Sequence, residues 1–421
     1  MKIATPENEN YSATIVVARN SFPLEGLDNL VGVSFFGLTA LIPKSTPDNE
    51  IGVLLPAESQ LSIEMAKENN LHRHGIYNKD QGKQGYLEDN RRIKAIRLKG
   101  NQSNALFLPL DSLKWTGVKL SELKEGDTFD TLNGKEICKK YVKKQKVSSA
   151  QNKQVREEIQ RVDKKFIPEH VDSLNYWRNK KLIASTDNIV VTQKLHGTSI
   201  RIANTLVNRK LSVVEKALKK LGVKIQEKEY DNVYGSRKVI KDPDNPYQTH
   251  FYSEDLWSNV GRKLDDVIPQ GYVLYGEIIG YVEGSSPIQA KYTYNYPVGN
   301  NELFIYRVTQ VNPQGIQVDL SWDQVKLFCR DHGLNYVPEL WTGRHKNFNV
   351  DKFVPQKEAI RYSEIYPNAI PLSPESRSDE GVCIRKEATT PIILKAKSPI
   401  FLEHETEMLD KEVEDIEEEQ K

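Results

Sequence analysis

The amino-acid sequence predicts an α+β protein of two or three domains, in which an all-β part precedes a mixed part. Its 421 residues are too many for a single compact core. Short apolar or alternating runs recur from residue 11 to about residue 144, and Gly, Pro, Asn and Asp separate them, as expected for successive strands and turns. From Phe166 onward, runs with helical spacing are mixed with strand-like runs. Because this alternation is not strict, an antiparallel core is favoured over a doubly wound parallel sheet.

The composition is that of a globular protein without a global excess of either charge. The apolar fraction is 38%, the charged fraction is 28% and the net charge is +1, so a nucleic-acid surface would have to be a local patch. Cys138, Cys329 and Cys383 are too far apart to form a C-x-x-C pair or a disulfide framework. The chain starts with polar residues and has no apolar run of membrane-spanning length. We therefore expect a cytoplasmic or nuclear protein without a membrane partner.

The first part is predicted to hold strands at residues 13–18, 31–42, 51–56, 93–98, 105–110 and 136–142. Short strands at this spacing favour a small barrel or sandwich, and Asn133-Gly134 is a strong signal for a hairpin turn. The run 91–99 alternates cations with apolar residues. It is predicted to be either a solvated strand face or the phosphate-contacting face of an OB-type barrel. This domain is placed at residues 1–144, and a basic linker, helical in part over 154–162, at residues 145–165.

The second part, residues 166–421, is predicted to combine helices and strands. Helices are expected at residues 210–221 and 254–267, where apolar residues recur with helical spacing. Strands are expected at residues 272–279, 303–308, 382–385 and 392–396. The tail from Leu402 to Lys421 carries apolar residues among many glutamates. It is predicted to be a short amphipathic helix that frays into an acidic end.

The chain is organised around the stretch V-V-T-Q-K-L-H-G-T-S-I-R, residues 190–201. It is predicted to form a strand, a tight turn and a second strand, with Lys194 beside Gly197, where the backbone can approach a ligand closely. An unprotonated lysine amine is a nucleophile, and a site with other cations and little water favours that form. Taken alone, K-x-x-G is too short to be diagnostic, and an exposed lysine in a hairpin explains it equally well.

Two carboxylates occur in segments that could complete such a site. Glu277 follows an apolar run and lies between two glycines in Y-G-E-I-I-G, where a sugar could approach and its hydroxyls could donate to the carboxylate. Glu380 stands at the start of a strand-like run in D-E-G-V-C-I-R, a position suited to holding Mg²⁺. Each could also be an ordinary surface or turn carboxylate.

Cations and an aromatic residue occur in three further segments. Lys395 and Lys397 lie two residues apart in L-K-A-K and therefore on one face of a strand, where two amines suit a phosphate. Arg237, in S-R-K, could grip a phosphate, and Tyr306, in F-I-Y-R-V, could stack on a purine base. Each of these residues, considered singly, has an ordinary structural explanation.

The joint series K-L-H-G-T-S, S-R-K, Y-G-E-I-I-G, F-I-Y-R-V, E-G-V-C-I-R and L-K-A-K resembles the motifs of the covalent nucleotidyltransferase superfamily, which includes ATP-dependent ligases and mRNA capping enzymes. DNA ligases and capping enzymes have aspartate at the position of His196, whereas the K-x-H-G-T form resembles the RNA ligase 2 family. With its all-β first domain, the chain resembles most the Deinococcus-type RNA ligases. The resemblance carried by the motif series covers Phe166 to about Phe401. It implies a small OB-like β-barrel followed by an adenylyltransferase domain with antiparallel sheets and flanking helices.

The resemblance also implies an activity and a set of site residues. The activity is ATP-dependent joining of RNA 3′-hydroxyl and 5′-phosphate ends through lysyl-AMP and an adenylylated 5′ end. ATP is then the substrate, Mg²⁺ or Mn²⁺ the metal, and a nicked or templated RNA duplex the partner of a monomeric enzyme. Lys194 is the implied nucleophile and Glu380 the metal carboxylate. The residues implied to bind ATP or AMP are His196, Gly197, Arg201, Arg237, Glu277, Tyr306, Lys395 and Lys397.

One departure and two alternatives remain at this level. Arg307 follows the motif aromatic, where RNA ligase 2 proteins usually have aspartate, so the role of that aspartate cannot be carried over. An mRNA capping guanylyltransferase or DNA ligase is the alternative within enzymes, and His196 argues against both. A non-catalytic RNA-binding protein on the same fold is the other alternative. The presence of Lys194, Glu277 and Glu380 argues against this alternative, because a non-catalytic protein would be free to lose these residues.

Overall fold

The computed structural model describes residues 3–142, 161–242, 251–252, 254–284 and 286–411. Most of the predicted linker, residues 145–160, and the acidic end of the predicted tail helix, residues 412–421, lie outside the described ranges. Within those ranges, no helix combines the length and the apolar character needed to cross a membrane.

The first part of the chain consists mainly of short strands. Its described elements are β1 (Ala13–Val17), β2 (Phe22–Leu24), β3 (Leu27–Phe35), β4 (Leu38–Pro43), β5 (Ile51–Pro56), β6 (Ser59–Leu61), α1 (Ile63–Glu68), β7 (Ile96–Leu98), β8 (Asn101–Ser103), β9 (Ala105–Pro109), β10 (Thr128–Phe129), β11 (Thr131–Leu132), β12 (Lys135–Glu136) and β13 (Cys138–Lys140). The main sheet has the order β10-β1-β5-β9-β4-β3-β2. Among the described residues, no pairing joins its edge strands β10 and β2. The sheet is therefore open rather than a closed barrel.

Both faces of this sheet are covered, which explains the continuous apolar runs in its central strands. Val53 and Leu55 of β5 pack on one face with α1, whereas Leu54, between them, packs on the other face. The turn prediction at Asn133-Gly134 is confirmed, because both residues have positive φ (54° and 77°) and join β11 to β12. The single strand predicted over residues 31–42 is wrong. A turn at residues 36–37 divides it into the antiparallel pair β3 and β4.

The second part combines two sheets with flanking helices. Its described elements are β14 (Leu174–Asn175), α2 (Tyr176–Asn179), β15 (Asn188–Lys194), β16 (Thr198–Asn208), α3 (Val213–Lys220), β17 (Lys228–Gly235), β18 (Ile240–Lys241), α4 (Leu256–Arg262), β19 (Tyr272–Gly280), β20 (Asn301–Val311), β21 (Gln317–Asp319), α5 (Trp322–Asp331), β22 (Asn335–Tyr336), β23 (Glu339–Arg344), β24 (Gly381–Lys386), β25 (Ile392–Lys397) and α6 (Pro399–Asp410). One sheet has the order β14-β25-β24-β15-β23 and the other β18-β17-β16-β19-β20-β21. Apart from β14–β25 and β20–β22, the described pairings in these two sheets are antiparallel, which confirms the predicted α+β class.

Strands β15 and β16 follow each other in the chain but belong to different sheets. The two strands predicted around Lys194 are confirmed. They do not pair with each other as in the alternative of an exposed hairpin, because the chain crosses between two sheets over Leu195, His196 and Gly197. At Gly197 an added Cβ would lie 2.1 Å from the carbonyl oxygen of Ile278, so only glycine fits this crossing. Lys194 is therefore the last residue of strand β15, at the point where the two sheets meet.

Helix α6 joins the two parts of the molecule. The predicted tail helix is present over Pro399–Asp410, and Ile400, Phe401 and His404 are buried on it, so this part of the tail is packed against the rest of the molecule. From its far end, Asp410 accepts hydrogen bonds from Arg92 and Lys94 of the first part, at 3.0 and 3.1 Å. The open cationic face predicted over residues 91–99 is therefore wrong at these two positions, where acidic partners cover the cations.

Candidate active site

A cavity of about 220 Å³ lies at the seam between the two sheets of the second part. Lys194 at the end of β15, Lys395 and Lys397 on β25, and Glu277 on β19 all line it. On one side the cavity is closed by Asn10, Tyr11 and Lys140 of the first part. Residues from both parts of the chain and from both sheets therefore meet in one cavity.

Strand register brings the charged groups of this cavity together. Lys194 lies opposite Gly381 of β24, and Gly381 lies opposite Lys397 of β25. The carboxylate of Glu380, which precedes Gly381, is 2.7 Å from Lys194 Nζ and 3.3 Å from Lys397 Nζ. A Cβ at Gly381 would lie 2.0 Å from the carbonyl oxygen of Ala396, so glycine permits the close approach of β25 here.

The charges of Glu380 and the two lysines stabilise each other in a buried setting. Burial alone would raise the pKa of Glu380, but the ammonium groups of Lys194 and Lys397 outweigh it and hold that pKa below its ordinary value. Burial would lower the pKa of Lys397. The carboxylates of Glu405 and Glu380 more than offset this and raise that pKa well above its ordinary value. Carboxylates and ammonium groups therefore alternate along this wall of the cavity.

Glu405 is the member of this wall that the sequence did not reveal. It lies on α6, lines the cavity, and its Oε1 is 2.6 Å from Lys397 Nζ. In the sequence it is one of many glutamates in an acidic tail, and only the packing of α6 against β25 sets it apart.

Glu277 braces the crossing between the two sheets. Its two carboxylate oxygens accept hydrogen bonds from the backbone N–H of Gly197 (3.0 Å) and from the hydroxyl of Ser199 (3.1 Å). The backbone N–H of His196 donates to the hydroxyl of Tyr294 at 2.6 Å. These bonds fix the backbone immediately after Lys194, a function of Glu277 that the sequence pattern did not predict.

Tyr306 and Arg307 both line the opposite wall of the cavity. These consecutive residues can both face it because strand β20 has a bulge here, where its pairing with β19 shifts register. The Tyr306 hydroxyl forms a 2.7 Å hydrogen bond with Nδ1 of His170. Arg307, which replaces the aspartate usual in RNA ligase 2 proteins, forms a buried two-bond pair with Asp319 at 2.5 and 3.0 Å. Its guanidinium also lies 4.8 Å from the ring centre of Tyr275. The guanidinium of Arg307 is therefore a fixed cation beside the ring of Tyr275.

Two arginines of the predicted set have different positions. Arg237 lines the cavity and pairs with the carboxylate of Asp172. Arg201 is almost fully buried and is not among the residues that line the cavity. It donates to the carbonyl oxygens of Ser236 (2.8 Å) and Ile167 (2.9 Å). The structure therefore does not bring Arg201 to the cavity with the other predicted site residues. In this position it supports the segment that carries Arg237, and its contact with a nucleotide stays a prediction.

A statistical model of the RNA ligase family matches residues 187–399, about half of the chain. The chain belongs to the RNA ligase family. The matched residues contain Lys194, Glu277, Tyr306, Glu380 and the β25 lysines. No curated protein matches the chain significantly by sequence.

Solved structures share the fold of this RNA ligase across almost the whole chain. Naegleria gruberi RNA ligase with PPi aligns with a TM-score of 0.59 at 16% identity, covering 94% of this chain and 98% of that one. A lysine-to-alanine mutant of the same protein with ATP and Mn aligns with a TM-score of 0.60 at 17% identity, covering 93% and 98%. A glutamate-to-alanine mutant with AMP and Mn gives a TM-score of 0.58 at 16% identity with the same coverage. The likeness therefore includes the first part of the chain, which the family model does not match.

Glu380 is a carboxylate of the cavity that could hold a metal ion. Among the described residues, no group of three or more His, Cys, Asp or Glu side chains could hold an ion by itself. Glu380 Oε2 is buried and accepts no hydrogen bond from any described residue. The ring nitrogen Nδ1 of His196 lies 3.9 Å from this oxygen. An ion held by one carboxylate together with phosphate oxygens and water fits this arrangement.

The carboxylate next to Glu380 has a different environment. Burial raises the pKa of Asp379 to about 6, although it accepts hydrogen bonds from Gln193 Nε2 and from the backbone N–H of Tyr362, both at 2.8 Å. Gln193 precedes Lys194 and points away from it along β15. Asp379 therefore anchors the strand that carries Lys194, whereas Glu380 faces the cavity.

The first part of the ligase contributes residues that the motif series could not reveal. Asn10, Tyr11 and Lys140 line the cavity, and Lys140 Nζ lies 5.1 Å from the ring centre of Tyr11. These residues come from segments far from Lys194 in the chain, and their sequence contexts show no recognisable pattern. Only the docking of the two parts identifies them.

Proposed function

We propose that this RNA ligase joins RNA 3′-hydroxyl and 5′-phosphate ends at the expense of ATP, through a lysyl-AMP intermediate and an adenylylated 5′ end. The observation that carries this proposal is the position of Lys194, next to Glu380 and Lys397 in a cavity where two sheets meet. Membership of the RNA ligase family supplies the reaction class.

In the first step the amine of Lys194 attacks the α-phosphorus of ATP, a nitrogen–phosphorus bond forms, and the bond to pyrophosphate breaks. The 2.7 Å pair between Lys194 and Glu380 holds the amine as ammonium, so this pair has to open and the amine has to lose its proton before attack. Lys395 and Lys397 would stabilise the negative charge that builds up on the phosphate oxygens. Mg²⁺ or Mn²⁺ bound at Glu380 would neutralise phosphate charge and compete for the carboxylate.

The two later steps use the same cavity. A 5′-phosphate oxygen of RNA attacks the phosphorus of lysyl-AMP, which releases Lys194 and leaves AMP on the RNA end. The 3′-hydroxyl of the adjoining strand then attacks the 5′-phosphate, a phosphodiester forms and AMP departs. The lysines on β25 would serve all three steps, because in each step negative charge builds up on the oxygens of the phosphoryl group that is attacked.

We assign the remaining site residues to nucleotide binding. Glu277 would accept from ribose hydroxyls with the lone pairs that Gly197 and Ser199 leave available. Tyr306 would stack on the adenine, and Arg237 would contact phosphate once its pair with Asp172 opens. His196 and Gly197 would border the ribose and phosphate.

We extend the proposal to the architecture. Residues 1–144 would be an OB-like domain of the kind found in Deinococcus-type RNA ligases, joined by a linker at residues 145–165 to the nucleotidyltransferase domain at 166–421. The contribution of Tyr11 and Lys140 to the cavity supports a role of this domain in gripping RNA or the pyrophosphate end of ATP. We propose a monomer that acts on nicked or template-bridged RNA within the cytoplasm or nucleus.

The decisive first experiment uses labelled nucleotide. Incubated with Mg²⁺, the protein is expected to take a covalent label from ATP and none from GTP, and then to seal nicked duplexes with RNA at the 3′-hydroxyl side. A label from GTP would instead support a capping enzyme. No label from either nucleotide would support a non-catalytic RNA-binding protein. Sealing only of nicks with DNA on both sides would support a DNA ligase.

A further inference from the structure

A short segment upstream of Lys194, residues 166–173, contacts the neighbouring strands β16, β19 and β20. The carbonyl oxygens of Phe166, Ile167 and Pro168 accept hydrogen bonds from Thr205, Arg201 and Tyr275, at 3.0, 2.9 and 3.0 Å. These three bonds fix the segment across the middle of the β16–β19 sheet. The segment lies outside residues 187–399, which match the family model, so no motif includes it.

His170 and Asp172 of this bracing segment point into the cavity and line it. Asp172 pairs with the guanidinium of Arg237, and His170 Nδ1 forms the 2.7 Å hydrogen bond with the hydroxyl of Tyr306. One segment therefore holds two side chains that the proposed function assigns to the nucleotide.

His170 is itself held in place, which allows it to orient Tyr306. Its ring meets the ring of Tyr275 edge to face, with centroids 5.1 Å apart and planes at 80°. The hydroxyl of Tyr275 is in turn fixed by Pro168. A rigid chain of contacts thus runs from the sheet through Tyr275 and His170 to Tyr306.

Tyr306 needs such support because of its backbone. It occupies the bulge of β20, where the register of the β19–β20 pairing shifts, so the ladder fixes its side-chain direction less firmly than at a regular position. A hydrogen bond to the end of the ring removes the remaining freedom. A ring that is already oriented loses less entropy when a base stacks on it.

We infer that His170 is a positioning residue for the purine: through its bond to the Tyr306 hydroxyl it holds that ring at the tilt at which the base of ATP stacks. This inference rests on the proposed function, in which Tyr306 stacks on adenine. It predicts that His170 affects ATP affinity through the Tyr306 hydroxyl and has little effect on the rate of phosphoryl transfer at saturating ATP.

The test is a double-mutant cycle with His170→Ala and Tyr306→Phe, which removes only the hydroxyl. Calorimetry with ATP and Mg²⁺ is carried out on full-length proteins that also carry Lys194→Ala, so that binding is measured without reaction. Each single change is expected to raise the Kd for ATP by about 2- to 10-fold, the range of one neutral hydrogen bond. The double change is expected to raise it no further than either single change. His170→Asn, whose amide can replace Nδ1, is expected to restore affinity to within about twofold.

Two outcomes would overturn the inference: effects of the two changes that multiply, or a Kd that His170→Ala leaves unchanged. Thermal unfolding of all variants shows whether a loss of affinity merely reflects a loss of fold. A second readout uses proteins with Lys194 intact, in which His170→Ala should raise the KM for ATP in AMP transfer and leave the rate at saturation within about twofold.

The cycle and the proposed function can fail separately. If the protein takes no AMP from ATP but the cycle shows coupling, ligation is wrong and the positioning role stands. If labelling succeeds but the two changes act independently, ligation stands and the positioning role is wrong. If none of the proteins binds ATP, both are wrong, because Tyr306 then has no purine to hold.

Discussion

Two partly buried clusters of charged and polar side chains lie along helix α6, and they differ in what their charges face. The site cluster consists of Lys194, Glu380, Lys397 and Glu405. The docking cluster consists of Arg92, Glu58, Lys94, Thr406 and Asp410. Helix α6 contributes Glu405 to the first and Thr406 and Asp410 to the second, so residues adjacent in the sequence serve both.

In the docking cluster the charges satisfy each other. The guanidinium of Arg92 donates two bonds to Glu58, at 2.6 and 2.9 Å, and a third to Asp410, and Thr406 donates to Glu58 at 2.5 Å. In the site cluster Glu380 Oε2 accepts no hydrogen bond among the described residues, and both lysines border a cavity. A closed cluster stabilises an interface, whereas an incompletely satisfied one beside a cavity is prepared for a ligand.

The largest difference between the clusters should appear in catalysis when Glu380 is replaced. Glu380→Ala is expected to reduce ligation by about 10³-fold or more, since a catalytic metal is worth several kcal/mol. Single-turnover sealing across a range of Mg²⁺ concentrations measures this loss. Asp410→Ala, a carboxylate removed from the docking cluster, is the matched control and should retain sealing within about tenfold. Near-normal sealing by Glu380→Ala at low Mg²⁺ would reject the metal role.

The reverse pattern is expected for Arg92. Arg92→Met leaves Glu58 buried without its partner and should lower the free energy of unfolding by about 3–5 kcal/mol, as measured by urea denaturation. AMP transfer from ATP should persist under conditions in which the variant is folded. Combining Arg92→Met with Glu58→Leu should recover much of the stability, because the buried charge is then removed. A stable single variant would show that the two parts dock independently of this cluster.

The smallest effect is expected at Glu405, which belongs to the site cluster and pairs with Lys397. Glu405→Gln removes the negative charge beside Lys397 but keeps the shape and an amide oxygen that can accept from the ammonium group, so labelling with ATP should slow by about tenfold or less. Single-turnover labelling at saturating ATP measures it. A loss as large as that caused by Glu380→Ala would show that Glu405 takes part directly in the reaction and does not merely support Lys397.

The two clusters also show what a sequence can reveal. The members Lys194, Glu380 and Lys397 could be proposed as site residues because the joint series of motifs resembles that of the covalent nucleotidyltransferases, although each short pattern alone has an ordinary structural explanation. Glu405 and the docking cluster have no local pattern. Arg92 finds partners 34 and 318 residues away, and alternation alone made it look exposed.

The errors in the fold have a similar origin. Periodicity identified β15 and β16 as strands, but it cannot tell which strands pair, so the sequence left open whether the two strands form a hairpin or belong to different sheets. In the run 31–42, continuous apolar character concealed a turn at residues 36–37, because both faces of that sheet are buried. His170 was missed because its importance arises only from its contact with Tyr306, 136 residues away.

Lys194 is proposed to carry AMP during the reaction, and mass spectrometry of the protein after incubation with ATP and Mg²⁺ is the most direct test of this role. We expect a mass increase of one AMP, a modified peptide whose fragments place the adduct on Lys194, and no adduct in Lys194→Ala with an unchanged melting temperature. An AMP adduct on another residue, or on the Lys194→Ala protein, would show that Lys194 is not the nucleophile.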